Sequence, residues 1–265
     1  MKCFCIRLHI VRSLKMCKRM LIFLEKVMHT AKRLINYFTA AEIALWSGSV
    51  IMIAVSFAAF DGESHMTLAA SLIGVTSLIF SAKGNPIGQL LMIIFSLFYG
   101  YISYTFSYFG EMITYLGMTA PMALFAFISW MRNPYNGNRA EVEVNRITRS
   151  ETAFMLLLSA VVTAIFYFIL TAFGTANILP STLSVTTSFI AVYLTLRRSP
   201  YFALAYAAND IVLIVLWVMA SFKDTTYISV AICFLAFLVN DCYGFISWRK
   251  MQMRQKRVEP ENSTL

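Results

Sequence analysis

The fold of this chain is decided by stretches such as residues 200–221, PYFALAYAANDIVLIVLWVMAS, in which Asp210 is the only charged residue. A helix needs roughly 17–25 residues to cross the hydrocarbon core of a bilayer, which is about 30 Å thick. The apolar residues here are continuous rather than alternating, and a backbone in lipid must satisfy its own hydrogen bonds. The stretch therefore predicts a transmembrane α-helix.

Seven further stretches have the same character, so the sequence predicts eight transmembrane helices. Their expected limits are 41–60, 66–82, 86–106, 110–131, 152–174, 182–196, 200–221 and 226–248. When these spans alternate in direction, all but one of the 22 Lys and Arg residues fall on the same side of the membrane. Nine precede Phe38, seven lie in alternate loops, five follow Trp248, and Lys223 alone falls on the other side.

Short loops rich in Lys and Arg stay in the cytoplasm. We therefore expect a multi-pass protein of the cell membrane (the plasma membrane, or the inner membrane of a bacterium) with both termini cytoplasmic. The net charge of +9 does not indicate nucleic-acid binding. The bases stand at span ends and in the tails, where anionic lipid headgroups of the bilayer are the natural partner.

The composition also argues against a soluble protein and against an enzyme. The chain is 59% hydrophobic and 13% charged, whereas about 25% of the residues in soluble domains are charged. The Cys and His residues form no metal-ligand spacing, and the sequence has neither a nucleophile–base pair nor a phosphate-binding glycine loop. We expect no catalytic residue, no metal and no cofactor; a membrane enzyme or receptor is the alternative from a different class.

An internal repeat organises the predicted helices. Phe-Ile-Ser-Trp occurs at 127–130 and again at 245–248, and the turns Lys83-Gly84-Asn85-Pro86 and Arg197-Arg198-Ser199-Pro200 stand upstream of the two copies. One span separates the two three-helix units, so both have the same orientation and are parallel repeats about an axis along the membrane normal. Repeats that each supply half of a pathway are typical of transporters.

The expected architecture is all-α and polytopic, with an N-terminal helix before a core of three, one and three helices. Its segments are a basic extension 1–40, an extra helix 41–64, repeat 1 at 65–131, a cytoplasmic loop and linking helix 132–178, repeat 2 at 179–249 and a cytoplasmic tail 250–265. The extension is expected to be an amphipathic helix on the membrane surface, or an overextended start of the chain.

Polar side chains inside the spans are the candidate site. A carboxylate in a membrane span is costly and by default indicates function, and Asp210 and Asp241 lie near the middle of their helices. Successive helical residues turn by about 100°, which places Tyr206, Asn209, Asp210 and Trp217 on one face. The other candidates are Asn240 beside Asp241, Gln89, Ser96 and Tyr99 on the second helix of repeat 1, and Tyr115 and Thr119 on the third.

The alternative is that these groups only hold the bundle together through hydrogen bonds between helices. Glu111 is expected near the outside end of its span, and Pro121 is expected to bend that span. Trp46, Trp130 and Trp248 are predicted to be anchors at the membrane interface.

Several of these stretches resemble the PnuC family of nicotinamide riboside transporters. The resemblance rests on Lys83–Gln89 (KGNPIGQ), the two Phe-Ile-Ser-Trp ends, Arg139–Val142 (RAEV) and Ser199–Asp210 (SPYFALAYAAND), and it covers roughly residues 40–250. One departure concerns the family pattern Trp-x-x-Trp-x-x-x-Asn/Asp, which places Ala203 and Tyr206 where the family has Trp.

The resemblance implies a SWEET-like fold of three, one and three helices with an extra N-terminal span, assembled as a homotrimer. It implies facilitated uptake of nicotinamide riboside, an NAD precursor, which a cytosolic nicotinamide riboside kinase then traps. The changed aromatic residues leave thiamine or riboflavin open as the vitamin, and Asp210 and Asp241 leave proton coupling open.

Overall fold

The computed structural model describes residues 37–62, 64–105, 108–175 and 177–262. Within them, eight helices are long and apolar enough to cross a membrane, as the sequence predicts. They are α1 Ala40–Phe60, α2 His65–Ala82, α3 Ile87–Thr105, α4 Phe109–Arg132, α5 Arg149–Ala172, α6 Ile178–Leu196, α7 Phe202–Ser221 and α8 Tyr227–Asn262. The helix predicted within residues 1–40 falls almost wholly outside the described residues.

The internal contacts divide the chain into two compact units, Met1–Leu45 and Trp46–Leu265. In the described part of the first unit, Thr39 and Glu42 cap the start of α1 reciprocally. The Thr39 N–H donates to Glu42 Oε2 at 2.7 Å, and the Glu42 N–H donates to Thr39 Oγ1 at 3.3 Å. This capping box satisfies two backbone donors that a helix start leaves free.

In the second unit, six helices form a closed ring, in the order α2, α3, α4, α6, α7, α8 and back to α2, and α5 packs on α6. The two predicted repeats are α2–α4 and α6–α8. The contact of α4 with α6 is the counterpart of the contact of α8 with α2, which is the arrangement that two parallel repeats produce.

The Phe-Ile-Ser-Trp ends join the two repeats reciprocally. Trp130, near the end of α4, donates its Nε1–H to the Thr195 carbonyl at the end of α6 at 2.9 Å. Trp248 of α8 donates to the Ser81 carbonyl at the end of α2 at 2.7 Å. The preceding serines donate in parallel, Ser129 to Leu196 at 3.1 Å and Ser247 to Ala82 at 2.7 Å.

The expectation that Trp130 and Trp248 are interface anchors is therefore wrong. Both side chains are 0% exposed, and their ring centroids lie 5.3 Å apart. The indoles find backbone acceptors at the ends of neighbouring helices, so they can be buried instead of facing the headgroups. Trp46, in contrast, is 39% exposed.

The linker after α4 was expected to be a turn-rich loop, but it contains a β-hairpin. Strand β1 Pro134–Tyr135 pairs antiparallel with β2 Asn138–Val142, and both residues of the tight turn, Asn136 and Gly137, have positive φ of 48° and 76°. Residues with positive φ at both turn positions match the right-handed twist of a two-residue hairpin.

The segment that follows the hairpin turn connects the two proline turns of the repeats. The Val142 N–H donates to the Gly84 carbonyl at 2.9 Å, and the Asn145 N–H donates to the Arg198 carbonyl at 3.0 Å. Gly84 and Arg198 stand at equivalent positions of the two repeats and both have left-handed backbones, with φ of 67° and 57°. The repeats therefore keep the same turn although only one of them has glycine there.

Helix α8 does not end at Trp248 as predicted, but continues to Asn262 through most of the expected tail. Gln255 in this extension accepts a hydrogen bond from the Val144 N–H at 2.8 Å, and Arg254 forms an ion pair with Glu141. The extension is helical because it packs on the linker, a tertiary contact that a local sequence pattern does not contain. Helix α6 likewise begins four residues before its predicted start at 182.

Helix α4 contains a π-helical turn, Thr114–Thr119, between the α-helical segments Phe109–Ile113 and Ala120–Arg132. The sequence predicts a bend at Pro121, and the π-helical turn ends two residues before this proline. A π-helical turn adds one residue to the usual α-helical hydrogen-bond spacing and is frequent at functional sites.

Candidate functional site

A pair of acidic side chains lies where α7 meets α8. Asp210 and Asp241 are each 4% exposed, and their carboxyl groups lie near enough to interact electrostatically. Asp210 Oδ2 has no hydrogen-bond partner among the described residues, so the pair still presents an acceptor.

An aromatic cluster from both repeats lies beside this pair. Trp217 of α7 donates its Nε1–H to the Tyr99 hydroxyl of α3 at 2.7 Å, and the rings of Tyr99 and Tyr115 are 4.4 Å apart between centroids. Tyr115 interacts electrostatically with Asp210. The ring of helices thus combines aromatic faces, which attract cations, with carboxyl groups that accept hydrogen bonds.

Tyr206 also belongs to this group and lies on the side nearer Trp130 and Trp248. It interacts electrostatically with Asp241 and Asp210, and its ring lies 6.2 Å from Phe202, edge to face. Of the predicted site residues, the structure therefore brings six together: Tyr99, Tyr115, Tyr206, Asp210, Trp217 and Asp241.

The two predicted asparagines are bound by neighbouring helices. Asn209 accepts hydrogen bonds from Thr187 and Ser188 of α6, at 2.8 and 3.0 Å. Asn240 donates to Ser49 of α1 at 2.8 Å and to the Ala236 carbonyl at 2.7 Å. Both contacts hold helices together, as the alternative interpretation expects for such side chains.

The remaining polar candidates belong to the first repeat. Gln89 donates to Ser81 Oγ of α2 at 3.3 Å, and Ser96 donates to the Met92 carbonyl of its own helix at 2.8 Å. Thr119 is 3% exposed, and its hydroxyl has no partner in the described part of the chain. Thr119 therefore presents an unused polar group.

Glu111 lies close to Tyr99 and Tyr115, although the sequence did not predict it as part of the site. It is 1% exposed; its Oε1 accepts a hydrogen bond from Ser184 at 2.9 Å, and it interacts electrostatically with Tyr99 and Tyr115. A carboxylate inside an apolar stretch was the available signal. Its place in the first turn of α4 suggested a position at the membrane interface instead.

Ala203, where the family pattern has Trp, is 0% exposed. A Cβ built on Gly244 of α8 would lie 3.5 Å from the Ala203 Cβ, so the two helices approach closely at this point. The pair of small residues leaves no space for a ring at position 203.

The two ends of the ring of helices differ in charge and in closure. The basic end, marked by Lys83, Arg132, Arg197 and Arg249, is closed by the buried Trp130 and Trp248. At the other end, the acidic end, a cavity of about 840 Å³ is lined by residues that include Asp61, Tyr101 and Asp224. Hydrogen bonds from the Thr226 N–H and hydroxyl hold the pKa of the Asp224 carboxyl below its ordinary value, so this side chain of the cavity lining is negatively charged at neutral pH.

Within the described residues, no three His, Cys, Asp or Glu side chains come together in a way that could hold a metal ion. The arrangement is instead suited to a small organic cation with hydrogen-bond donors, because it offers aromatic faces and carboxyl oxygens in a buried setting.

Comparison with known proteins identifies the family of the chain. Residues 64–250 match the model of a family described as the nicotinamide mononucleotide transporter. The chain is 28% identical over 224 residues to the nicotinamide riboside transporter PnuC of Neisseria mucosa, covering 83% of each chain. It is 23% identical over 193 residues to the protein of the same name from Haemophilus influenzae, covering 72% of this chain and 82% of the other.

A solved structure, described as the crystal structure of the vitamin B3 transporter PnuC, has the same fold. It superposes with a TM-score of 0.73 at 26% identity, covering 82% of this chain and 94% of the other. The resemblance drawn from the sequence is thereby confirmed.

Proposed function

Because the chain belongs to the nicotinamide mononucleotide transporter family, we propose that it carries nicotinamide riboside across the membrane by facilitated uptake. The observation that carries the choice of substrate is the buried group of Tyr99, Tyr115, Trp217, Asp210 and Asp241. Nicotinamide riboside combines a cationic pyridinium ring with ribose hydroxyls. An aromatic face attracts a cation by about 0.5–2 kcal/mol, and a carboxylate accepts hydrogen bonds from hydroxyls that are roughly twice as strong as neutral ones.

The charges of this group favour the nucleoside over the nucleotide. Every Lys and Arg of the described residues lies in a loop, at a helix end or in the α8 extension beyond Trp248. The phosphate of nicotinamide mononucleotide would therefore meet Asp210 and Asp241 without a compensating cation. Like charges in a buried setting cost several kcal/mol, which supports a substrate without a phosphate.

Transport is passive in this proposal, and a cytosolic nicotinamide riboside kinase traps the substrate by phosphorylation. The protein lies in the cell membrane as a homotrimer with both termini in the cytoplasm. The trimer and the kinase rest on the family resemblance, and the orientation rests on the distribution of basic residues.

Uptake by proteoliposomes tests the proposal. Liposomes that contain the purified protein and no kinase are given labelled nicotinamide riboside, nicotinamide mononucleotide, thiamine or riboflavin. We expect nicotinamide riboside to enter until its concentrations are equal on both sides, and the nucleotide to stay outside. Thiamine, which is also an aromatic cation, is the informative competitor, because its preferential uptake would identify another vitamin as the substrate.

Two outcomes would contradict the proposal. Entry of the nucleotide at the rate of the nucleoside would contradict the argument from charge. Accumulation of nicotinamide riboside above its external concentration under an imposed proton gradient would contradict passive transport and assign the Asp210–Asp241 pair to proton coupling.

A further inference from the structure

Glu111 is a buried carboxylate with one unused oxygen. It stands in the first turn of α4, yet it is 1% exposed. Ser184 of α6 donates to Oε1 at 2.9 Å, and Oε2 is buried without a hydrogen-bond partner among the described residues. Leaving such an oxygen unpaired is costly, so a contact that only held α4 on α6 would not require a carboxylate.

The surroundings of Glu111 connect it to the candidate site. Tyr99 and Tyr115 both interact electrostatically with Glu111, and Tyr115 interacts with Asp210 as well. Tyr115 is therefore near enough to both Glu111 and Asp210 to interact with each of them. It belongs to the π-helical turn Thr114–Thr119, the one irregular segment of the helix that carries Glu111.

We propose that Glu111 is a specificity-determining residue whose free oxygen accepts a hydrogen bond from an uncharged amide of the substrate. The inference rests on the proposed function and deepens it. If ribose hydroxyls are bound by Asp210, the ring stacks on the tyrosines and its carboxamide is directed toward Glu111. An amide NH₂ offers two donors to a carboxylate, whereas the carboxylate of nicotinic acid riboside offers none and is repelled.

The chemistry predicts discrimination between two ligands that differ only in this group. A site built to accept a hydrogen bond strongly rejects an analogue that lacks the donor. The protein should bind nicotinamide riboside at least about tenfold more tightly than nicotinic acid riboside, since a hydrogen bond to a charged group changes affinity by roughly tenfold to a hundredfold.

The test measures the affinity of the purified full-length protein for both ribosides, with Glu111→Gln as the main variant. Gln has nearly the same shape and still offers a carbonyl acceptor, but it has no charge to repel a carboxylate. We expect Glu111→Gln to bind the amide with at most about tenfold loss and the acid more tightly than the parent does, so that the preference falls by at least about tenfold. Glu143→Gln, at an exposed position of the linker, is the matched control and should leave the preference unchanged.

Two further variants distinguish specificity from a structural role. Ser184→Ala removes the hydrogen bond to Oε1 and keeps the charge, so it should lower thermal stability and keep the preference. Glu111→Asp withdraws the carboxylate by one methylene, so it should weaken binding of the amide while the acid is still rejected; it also replaces Glu111→Gln if that variant does not fold.

Equal effects of Glu111→Gln on both ribosides, or a parent protein that does not prefer the amide, would overturn this inference and leave the proposed function intact. A parent that binds neither riboside but binds thiamine or riboflavin would overturn the proposed function itself. The affinity of the parent for nicotinamide riboside therefore tests the function, and the change in preference tests Glu111.

Discussion

At the scale of single residues, the acidic pair is the costly feature of the molecule. Asp210 and Asp241 are buried, and no Lys or Arg pairs with either carboxyl group in the described part of the chain. Helices can be joined in lipid by hydroxyls and amides at a smaller desolvation cost, as Asn209 and Thr187 show here. A pair of carboxyl groups is therefore better explained by a cationic ligand than by helix packing.

The first prediction concerns Asp210. Replacement by Ala should weaken binding of nicotinamide riboside by about 1.5–3 kcal/mol, a tenfold to hundredfold loss, because a charge-assisted hydrogen bond disappears. Titration of the purified protein with labelled riboside measures the loss. Glu143→Ala, at an exposed residue of the linker, is the control and should change affinity less than threefold, roughly the effect of a screened surface charge.

The variant must reach the membrane and unfold cooperatively for the comparison to be valid. If well-folded Asp210→Ala and Tyr206→Ala proteins both bind as tightly as the parent, the substrate site lies elsewhere and the acidic pair only joins α7 to α8.

The sequence predicts much of the candidate site, because a carboxylate or a ring in an apolar span is conspicuous. Asp210, Asp241 and Trp217 could be found in this way. The sequence does not predict which helix packs against a given face. Helical periodicity determines which residues share a face, but not which neighbouring residues they contact. Asn209 therefore binds hydroxyls of α6, and the interior position of Glu111 depends on the packing of α6 on α4.

At the scale of helices, close approach between α2 and α3 depends on Gly88. A Cβ built at this position would lie 2.3 Å from Ser81 Oγ and 2.6 Å from the Ser81 backbone nitrogen. The Ser77 hydroxyl also donates to the Gly88 carbonyl at 2.8 Å. Small residues that let two backbones approach are the usual means of joining helices in lipid.

The second prediction follows from this contact. Gly88→Ala should destabilise the protein by about 3 kcal/mol, near the upper end of overpacking effects, because backbone atoms must move apart. Gly48→Ala is the matched control, since a Cβ at Gly48 meets nothing within 4 Å, and it should be neutral or slightly stabilising, as Ala is the better helix former. Thermal unfolding in detergent measures both, and an equal loss in the two variants would contradict the packing argument.

The reciprocal contacts of Trp130 and Trp248 give a third prediction. Phe in either position removes an indole N–H and leaves a buried carbonyl without its donor, which should cost about 1–3 kcal/mol. The two losses should be similar because the contacts are equivalent in the two repeats. Trp46→Phe is the control, since its hydrogen bond to Thr76 at 3.1 Å is exposed, and we expect less than about 0.5 kcal/mol. Chemical unfolding that shows a large loss for one repeat alone would contradict the equivalence.

The sequence predicts the eight helices to within a few residues, because length and hydropathy determine a transmembrane span. It does not predict the β-hairpin Pro134–Val142 or the extension of α8 beyond Trp248. Both depend on tertiary contacts. In one of them, Gln255 accepts a hydrogen bond from the Val144 N–H, which would otherwise bind water. The π-helical turn in α4 is also a product of packing, and proline alone indicated only its neighbourhood.

At the scale of the whole molecule, the two ends of the ring of helices differ in their charge and in whether they are closed. The basic end carries Lys83, Arg132, Arg197 and Arg249 and is closed by the two buried tryptophans. The acidic end has a cavity with Asp61 and Asp224 in its lining. Because negative charge raises the local concentration of cations, the two aspartates favour the approach of a cationic nucleoside to this end of the protein.

The fourth prediction assigns these ends to the two sides of the membrane. Short loops rich in Lys and Arg stay in the cytoplasm, so the basic end should face the cytoplasm and the acidic end the exterior. In a variant without native cysteines, Asp224→Cys should react in intact cells with a maleimide that cannot cross the membrane. Arg139→Cys, equally exposed in the linker hairpin, should react only after the cells are opened. Reaction of Arg139→Cys in intact cells would reverse the orientation, and the acidic end would then face the cytoplasm.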